Sequence, residues 1–321
     1  VSAFALLSFW ACAPHSPAGF VWPKILVLAL GALACALRSR PAWLLALAVA
    51  AAAAWWGDNP ALSVVGFPGE WTGGLLALSF YALLTLLPTR FPWLKWAGIC
   101  LATHAIAQYA GLDPLIKLGG LDERHAVTWV GSHVDTGALL AMAAPVVGWG
   151  WIPWIALGLL ACKARGAMLG AAFALTPGRW RWAYAPLVLV PLFFNVLHAP
   201  KDVARGELSR IAVRGWLERP FLGHGPETYR LTLDRLKTPA LVAAVGPAYE
   251  QSHAHNDLLE ALHGAGILGL LAYLLLVWPL LADPSLLALF VDLKFNPVSF
   301  EVLSAAALVA ANVYRDRKGG A

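Results

Sequence analysis

The feature that most constrains this chain is its succession of continuous apolar runs. They fall at about 2–13, 25–37, 42–56, 73–88, 93–110, 135–148, 150–162, 166–176, 182–198, 257–282, 285–292 and 299–314. Within each run the apolar residues are continuous and do not alternate with polar ones. That pattern excludes barrel strands and points to helices, which keep their backbone hydrogen bonds internal in a bilayer. Composition agrees: 60% of the 321 residues are hydrophobic and 13% are charged, against about 25% charged in a soluble domain. The expected fold class is an all-α polytopic membrane protein with about twelve transmembrane helices and one long loop holding short amphipathic helices. Several runs are shorter than the ~20 residues of a perpendicular span. Those at 166–176 and 285–292 are the doubtful ones, read as short tilted helices or re-entrant segments. Sixteen Trp suit many membrane–water boundaries.

Charge placement sets the topology. Arg38-Ser39-Arg40, Arg90 with Lys95, Arg179 with Arg181, and Arg315 to Lys318 each close or open a run. With twelve spans, all four clusters share one side with both termini, while 57–72, 111–134, the turn Lys163 to Arg165 and the loop 199–256 share the other. The clusters are nearly free of acids and read as cytoplasmic. The loop mixes eight basic with six acidic residues and reads as a folded, site-bearing segment on the opposite, periplasmic side. With no nucleic-acid motif and no soluble basic domain, the net charge of +5 does not imply nucleic-acid binding. Cys12, Cys35, Cys100 and Cys162 lie in apolar runs without CxxC spacing and are expected as buried small hydrophobes. Val1 to Ala13 lacks a basic leader and reads as a short first span. Without an internal repeat, 1–321 reads as a single membrane domain, with 199–256 carrying part of the active site.

The loop has its own helical signals. Glu207 to Arg219 places Leu208, Ile211, Gly215 and Trp216 on one side, and Arg210 with Arg214 at i, i+4 on another. Pro220 stops that helix, Gly223-His224-Gly225-Pro226 makes a sharp turn, and Pro226 suits the first turn of a second helix to about Lys237. The piece 238–251 is expected to be an irregular cover.

Polar residues where this loop meets the next span are the candidates for chemistry. In Ser252-His253-Ala254-His255-Asn256, an imidazole that titrates near neutrality can take a proton from an alcohol. His255 is the first candidate; Asn256 either orients it or caps the helix that begins there. His253 and His255 at i, i+2 make a weak metal pattern, and no metal or other cofactor is expected. Arg165, between two runs and among small residues, offers a donor fork suited to phosphate. Arg210 and Arg214 make a candidate pyrophosphate clamp, and His224 a candidate binding turn. The blander readings are a headgroup-level cap, snorkelling arginines and an interfacial helix. Glu218 and Glu227 are expected as surface partners.

His255-Asn256, nine residues, then Gly266-x-x-Gly269 resembles the closing signature of the O-antigen ligase / O-antigen polymerase superfamily of bacterial inner-membrane glycosyltransferases. Pro220 to Tyr229 resembles the glycine turn of that family's periplasmic loop, Arg210 the arginine preceding it, and Ala164-Arg165-Gly166-Ala167 its Ser-Arg-Gly segment. Gln108 to Pro114 and Gly131 to Pro145 match more weakly, and the likeness covers roughly 57–282. Lys163-Ala164 departs from the usual Thr/Ser, and Ser132-His133 from an Asn-Pro pair. The resemblance implies a GT-C-like membrane fold and a metal-independent, inverting transfer of glycan from undecaprenyl pyrophosphate to an acceptor hydroxyl at the periplasmic face. The acceptor is lipid A-core or another lipid or glycan. It further implies His255, Arg165 and Arg210 as catalytic residues, with Arg214, His224, His253 and Asn256 binding substrate.

Two other readings within the superfamily are a polysaccharide polymerase and a protein O-oligosaccharyltransferase; a short chain without an appended periplasmic domain favours the ligase. In another class stands a secondary anion transporter, although no paired repeat is visible.

Overall fold

The computed structural model describes residues 41–66, 74–86, 93–112, 126, 128, 130, 132–176, 200–294, 296 and 300–319. The runs at 2–13, 25–37 and 182–198, the clusters around Arg38, Arg90 and Arg179, and Cys12 and Cys35 lie outside these residues. Among the described residues every regular element is a helix. They are α1 (Pro41–Trp56), α2 (Pro60–Val65), α3 (Leu75–Leu84), α4 (Trp93–Tyr109), α5 (His133–Ala143), α6 (Ile152–Cys162), α7 (Arg165–Leu175), α8 (Pro200–Glu218), α9 (Tyr229–Leu236), α10 (Pro239–Val245), α11 (Asp257–Val277), α12 (Pro284–Asp292) and α13 (Phe300–Gly319). Apart from 182–198, each apolar run from 42–56 onward coincides with a helix.

One device starts three of them. At Asn59-Pro60, Thr238-Pro239 and Asp283-Pro284 a side-chain oxygen accepts an amide two or three residues on. Proline then fills the first helical position, where its missing N–H leaves nothing unsatisfied. This device makes 239–245 helical where an irregular cover was expected. The helix after the glycine turn starts at Tyr229 rather than Pro226, because Glu227 has φ +61° and cannot belong to a right-handed helix.

The two doubtful runs pack on each other. The buried face of α7 is Gly166, Ala167, Gly170, Ala171 and Ala174, a small-residue seam that lets backbones approach. A Cβ on Gly170 would lie 2.3 Å from the Ala288 carbonyl oxygen of α12. With α4, α5, α6 and α13 this pair builds the main apolar core; α1 and α3 form a second with Leu276 and Ala307. A third, around Leu208, Ile211, Tyr229, Leu233 and Leu241, belongs to the loop.

Helix α11 continues through a 3₁₀ turn, Trp278–Ala282. The combined 26 residues have a mean hydropathy of 2.2, and among the described residues they alone are long and apolar enough to cross a membrane by length and composition. Leu268, Leu271, Leu274 and Leu275 on α11, Leu157 and Leu160 on α6, and Trp55, Trp56, Trp149 and Trp278 are exposed, so the outer surface is strongly apolar. Cys162 is buried as expected, but Cys100 is exposed on this apolar exterior.

Candidate active site

Two of the sequence motifs form one unit. Gly266 interrupts α11 with φ 64° and ψ −163°, which opens the helical hydrogen-bond ladder. The glycine turn takes up the freed groups. The amides of His224 and Gly225 donate to the carbonyls of His263 and Gly264 (2.9 Å each), and the Ile267 amide donates to the Pro220 carbonyl (2.8 Å). A Cβ on Gly266 would sit 2.3 Å from the Phe221 carbonyl, so both its dihedral and its contact require glycine.

Beneath the turn, His224 is almost fully buried. Its Nδ1 lies 2.7 Å from Asp58 Oδ2 and its Nε2 2.8 Å from the Gly215 carbonyl. Its ring stacks on His263 at 5.0 Å, and His263 Nε2 meets Thr232 Oγ1 at 2.8 Å. Asp58 also pairs with Arg219 (2.9 Å), which ties the segment after α1 to the end of α8. The segments around 57 and 199–256, read from sequence as lying on one side, are thus in contact.

Beside this junction lies a cavity of about 360 Å³. Its throat is apolar, walled by Trp43 and Leu47 of α1, the Ala265, Gly269 and Ala272 side of α11, and Leu286 and Leu289 of α12. Its mouth is polar: Glu227, His253, His255, Asn256, Asp257 and Glu260. The mouth is held by specific contacts. Glu260 Oε2 accepts the Ala254 amide (2.8 Å), and Oε1 lies 3.7 Å from His253 Nδ1. Asp257 is hydrogen-bonded by Tyr273 and Lys294, and Lys294 also sits 3.7 Å over the Phe290 ring. His255 holds φ +57°, an uncommon conformation for a residue with a side chain.

The candidates from sequence separate into three groups. His253, His255 and Asn256 come together at the mouth. Asn256 caps α11, its Oδ1 accepting the Leu258 and Leu259 amides at 3.0 and 3.2 Å. His224 is inside the junction, outside the cavity lining. Arg165, Arg210 and Arg214 are exposed and are not among the lining residues. Arg210 pairs with Glu207, which also accepts the Thr238 hydroxyl. Arg165 opens α7, where Ala164 provides no side-chain cap for the first amides. Among the described residues no three His, Cys, Asp or Glu side chains gather as a metal-binding group.

Residues 125–274, which include Arg165, α8, the glycine turn and the cavity mouth, match the family model described as O-antigen ligase. This match, over a little under half of the chain, supports the O-antigen ligase superfamily. No curated protein and no solved structure matches it. Members of this family are membrane proteins associated with ligation and polymerisation of lipid-linked glycans.

Several residues of this candidate site escaped the sequence reading. Glu218 is a surface partner, bound to Arg235, but Glu227 is not: it is 4% exposed and lines the cavity. Asp257 and Glu260 were legible as carboxylates in the first turns of an apolar run, a placement that favours a helix N-terminus. Nothing local marked Asn296, which lines the cavity and joins Arg205 Nη2 (3.3 Å) to Asp292 (2.8 Å).

Proposed function

We propose that this protein is a ligase-type glycosyltransferase that moves a glycan from undecaprenyl pyrophosphate to an acceptor hydroxyl, with inversion and without a metal. The cavity carries the reading, because an apolar throat opening into a polar mouth suits a ligand with a lipid tail and a glycan-bearing head. In this reading the chain spans the bacterial inner membrane about twelve times, as one membrane domain, with the mouth in the periplasm.

The acceptor oxygen attacks the anomeric carbon as the bond from that carbon to the pyrophosphate oxygen breaks; the pyrophosphate carries off the electron pair, and the hydroxyl proton passes to a basic side chain of the mouth. His255 hydrogen-bonds the acceptor hydroxyl and aims it. Arg165 stands at the start of α7, where uncapped amides and the guanidinium both favour an anion. With Arg210, and Arg214 in support, it stabilises the leaving group as a preorganised donor. His253 and Asn256 shape the acceptor side, and His224 holds the turn above the mouth.

The test is transfer by purified protein from lipid-linked glycan to lipid A-core, glycan or peptide acceptors, with a chelator present. Wild type transfers and folded His255→Ala does not. Arg165→Ala loses about 100-fold or more in rate, as expected for one such donor, with an unchanged melting temperature. Equal transfer by wild type and His255→Ala removes His255 from the mechanism. The productive acceptor separates ligase from polymerase and protein glycosyltransferase. Solute flux in liposomes without transfer supports a transporter instead.

A further inference from the structure

We propose that Glu227 is the general base of the transfer; the inference rests on the glycosyl-transfer reading above. The acceptor hydroxyl gives its proton to the Glu227 carboxylate as its oxygen bonds to the anomeric carbon, and the pyrophosphate leaves with the electrons of the broken bond. His255 keeps the orienting role.

Two features set this residue apart. Its backbone is left-handed, φ +61°, which glycine would adopt without strain. The residue is also buried, 4% exposed, on the lining of the cavity. A turn shaped for folding alone would favour glycine here. The strain cannot relax, because both sides of the residue are pinned. Before it, the Gly225 amide is bonded to Gly264, and a Cβ on Gly264 would stand 3.4 Å from the Pro226 Cα. After it, the Thr228 hydroxyl donates to the Gly225 carbonyl (2.6 Å), and the buried Tyr229 donates to the Leu208 carbonyl (2.7 Å).

The result is a carboxylate delivered to the cavity from the loop wall, in a mouth whose other wall brings His255. Asp257 and Glu260 belong to that other wall, where they hold Lys294 and Tyr273 and the Ala254–His253 turn. They frame the mouth, and Glu227 reaches it from an independent element. A strained backbone that holds a buried carboxyl group on the lining shared with His255 is the placement a positioned base requires.

The experiment uses the full chain in detergent or nanodiscs, with lipid-linked glycan as donor and the acceptor that wild type uses. Glu227→Gln and Glu227→Gly are compared with wild type for kcat, donor KM and melting temperature. Both variants are expected to lose about 100-fold or more in kcat, with donor KM within about threefold of wild type. Glu227→Gly is expected to melt no lower than wild type, since glycine relieves the left-handed strain. Added formate is expected to restore transfer to Glu227→Gly by about tenfold, since a small carboxylate can occupy the vacated space.

Transfer by either variant within about threefold of wild type overturns the proposal. So does a fall in kcat that formate does not restore, whether or not the melting temperature falls with it. If wild type transfers, His255→Ala does not, and Glu227→Gly does, only the Glu227 inference fails. If wild type itself transfers nothing, the transferase reading and this inference fall together.

Discussion

Of the places in this molecule where glycine brings backbones into contact, two do so on different terms. Where α7 meets α12, Gly170 faces the Ala288 carbonyl but both helices stay regular. Every mid-helix hydrogen bond remains internal, and the contact gains only close packing. Where the turn 220–226 meets α11, the helix is broken at Gly266, and loop and helix exchange backbone hydrogen bonds. An unpaired amide or carbonyl is costly away from water, so the loop is a structural part of the break. The first contact builds a scaffold; the second fixes a polar segment against an apolar helix beside a cavity.

The largest expected effect would break the junction. Gly266→Val adds left-handed strain and a clash with Phe221, so it should destabilise by about 3 kcal/mol or more. The readout is Trp fluorescence during thermal unfolding in detergent; an unchanged midpoint would mean that the turn does not hold the break. Gly170→Val, at a helical dihedral, carries only the packing cost and should lose about 1–3 kcal/mol while leaving the cavity mouth intact. If it instead destabilised more than Gly266→Val, the contrast between the two contacts would be reversed.

Asn256 tests the cap against the site. Asn256→Ala should lose about 1 kcal/mol of stability as the cap of α11 disappears, and Asn256→Asp should restore it. Transfer that stays low in a stable Asn256→Asp would assign the amide a substrate contact as well. The smallest effect is in acid. The hydrogen bond from Arg235 holds the Glu218 carboxylate below its ordinary value of 4.5. A depressed carboxylate stabilises the fold above that value, and the contribution disappears as pH falls through the lower, folded one. Because the pair is exposed, Glu218→Gln should change the acid limb of a pH–melting curve only slightly, and less in high salt. A large change would mean that Glu218 helps to lock the junction.

Residue types and spacing made much of the fold legible. Among the described residues, continuous apolar runs located helices from 42–56 to 299–314, since a helix must cover its backbone with apolar side chains over its length. Gly166 and Gly170 marked a face for close approach, and Asn256 was readable as a cap. The candidate site was legible only in part. The sequence identified the closing motif and the glycine turn, but not that they bond to each other. That pairing depends on which freed amides find which carbonyls, a long-range matter with no local signature. It read Glu227 as a surface acid because burial is not a local property. What the sequence determined by itself was the class of the molecule, an apolar helical bundle with one polar loop, because hydropathy and periodicity are local. What the tertiary structure alone decided was the company at the cavity mouth: it gathered Glu227, His255 and Glu260 and left Arg165, Arg210 and Arg214 exposed, because the meeting of distant helices and loops follows from packing.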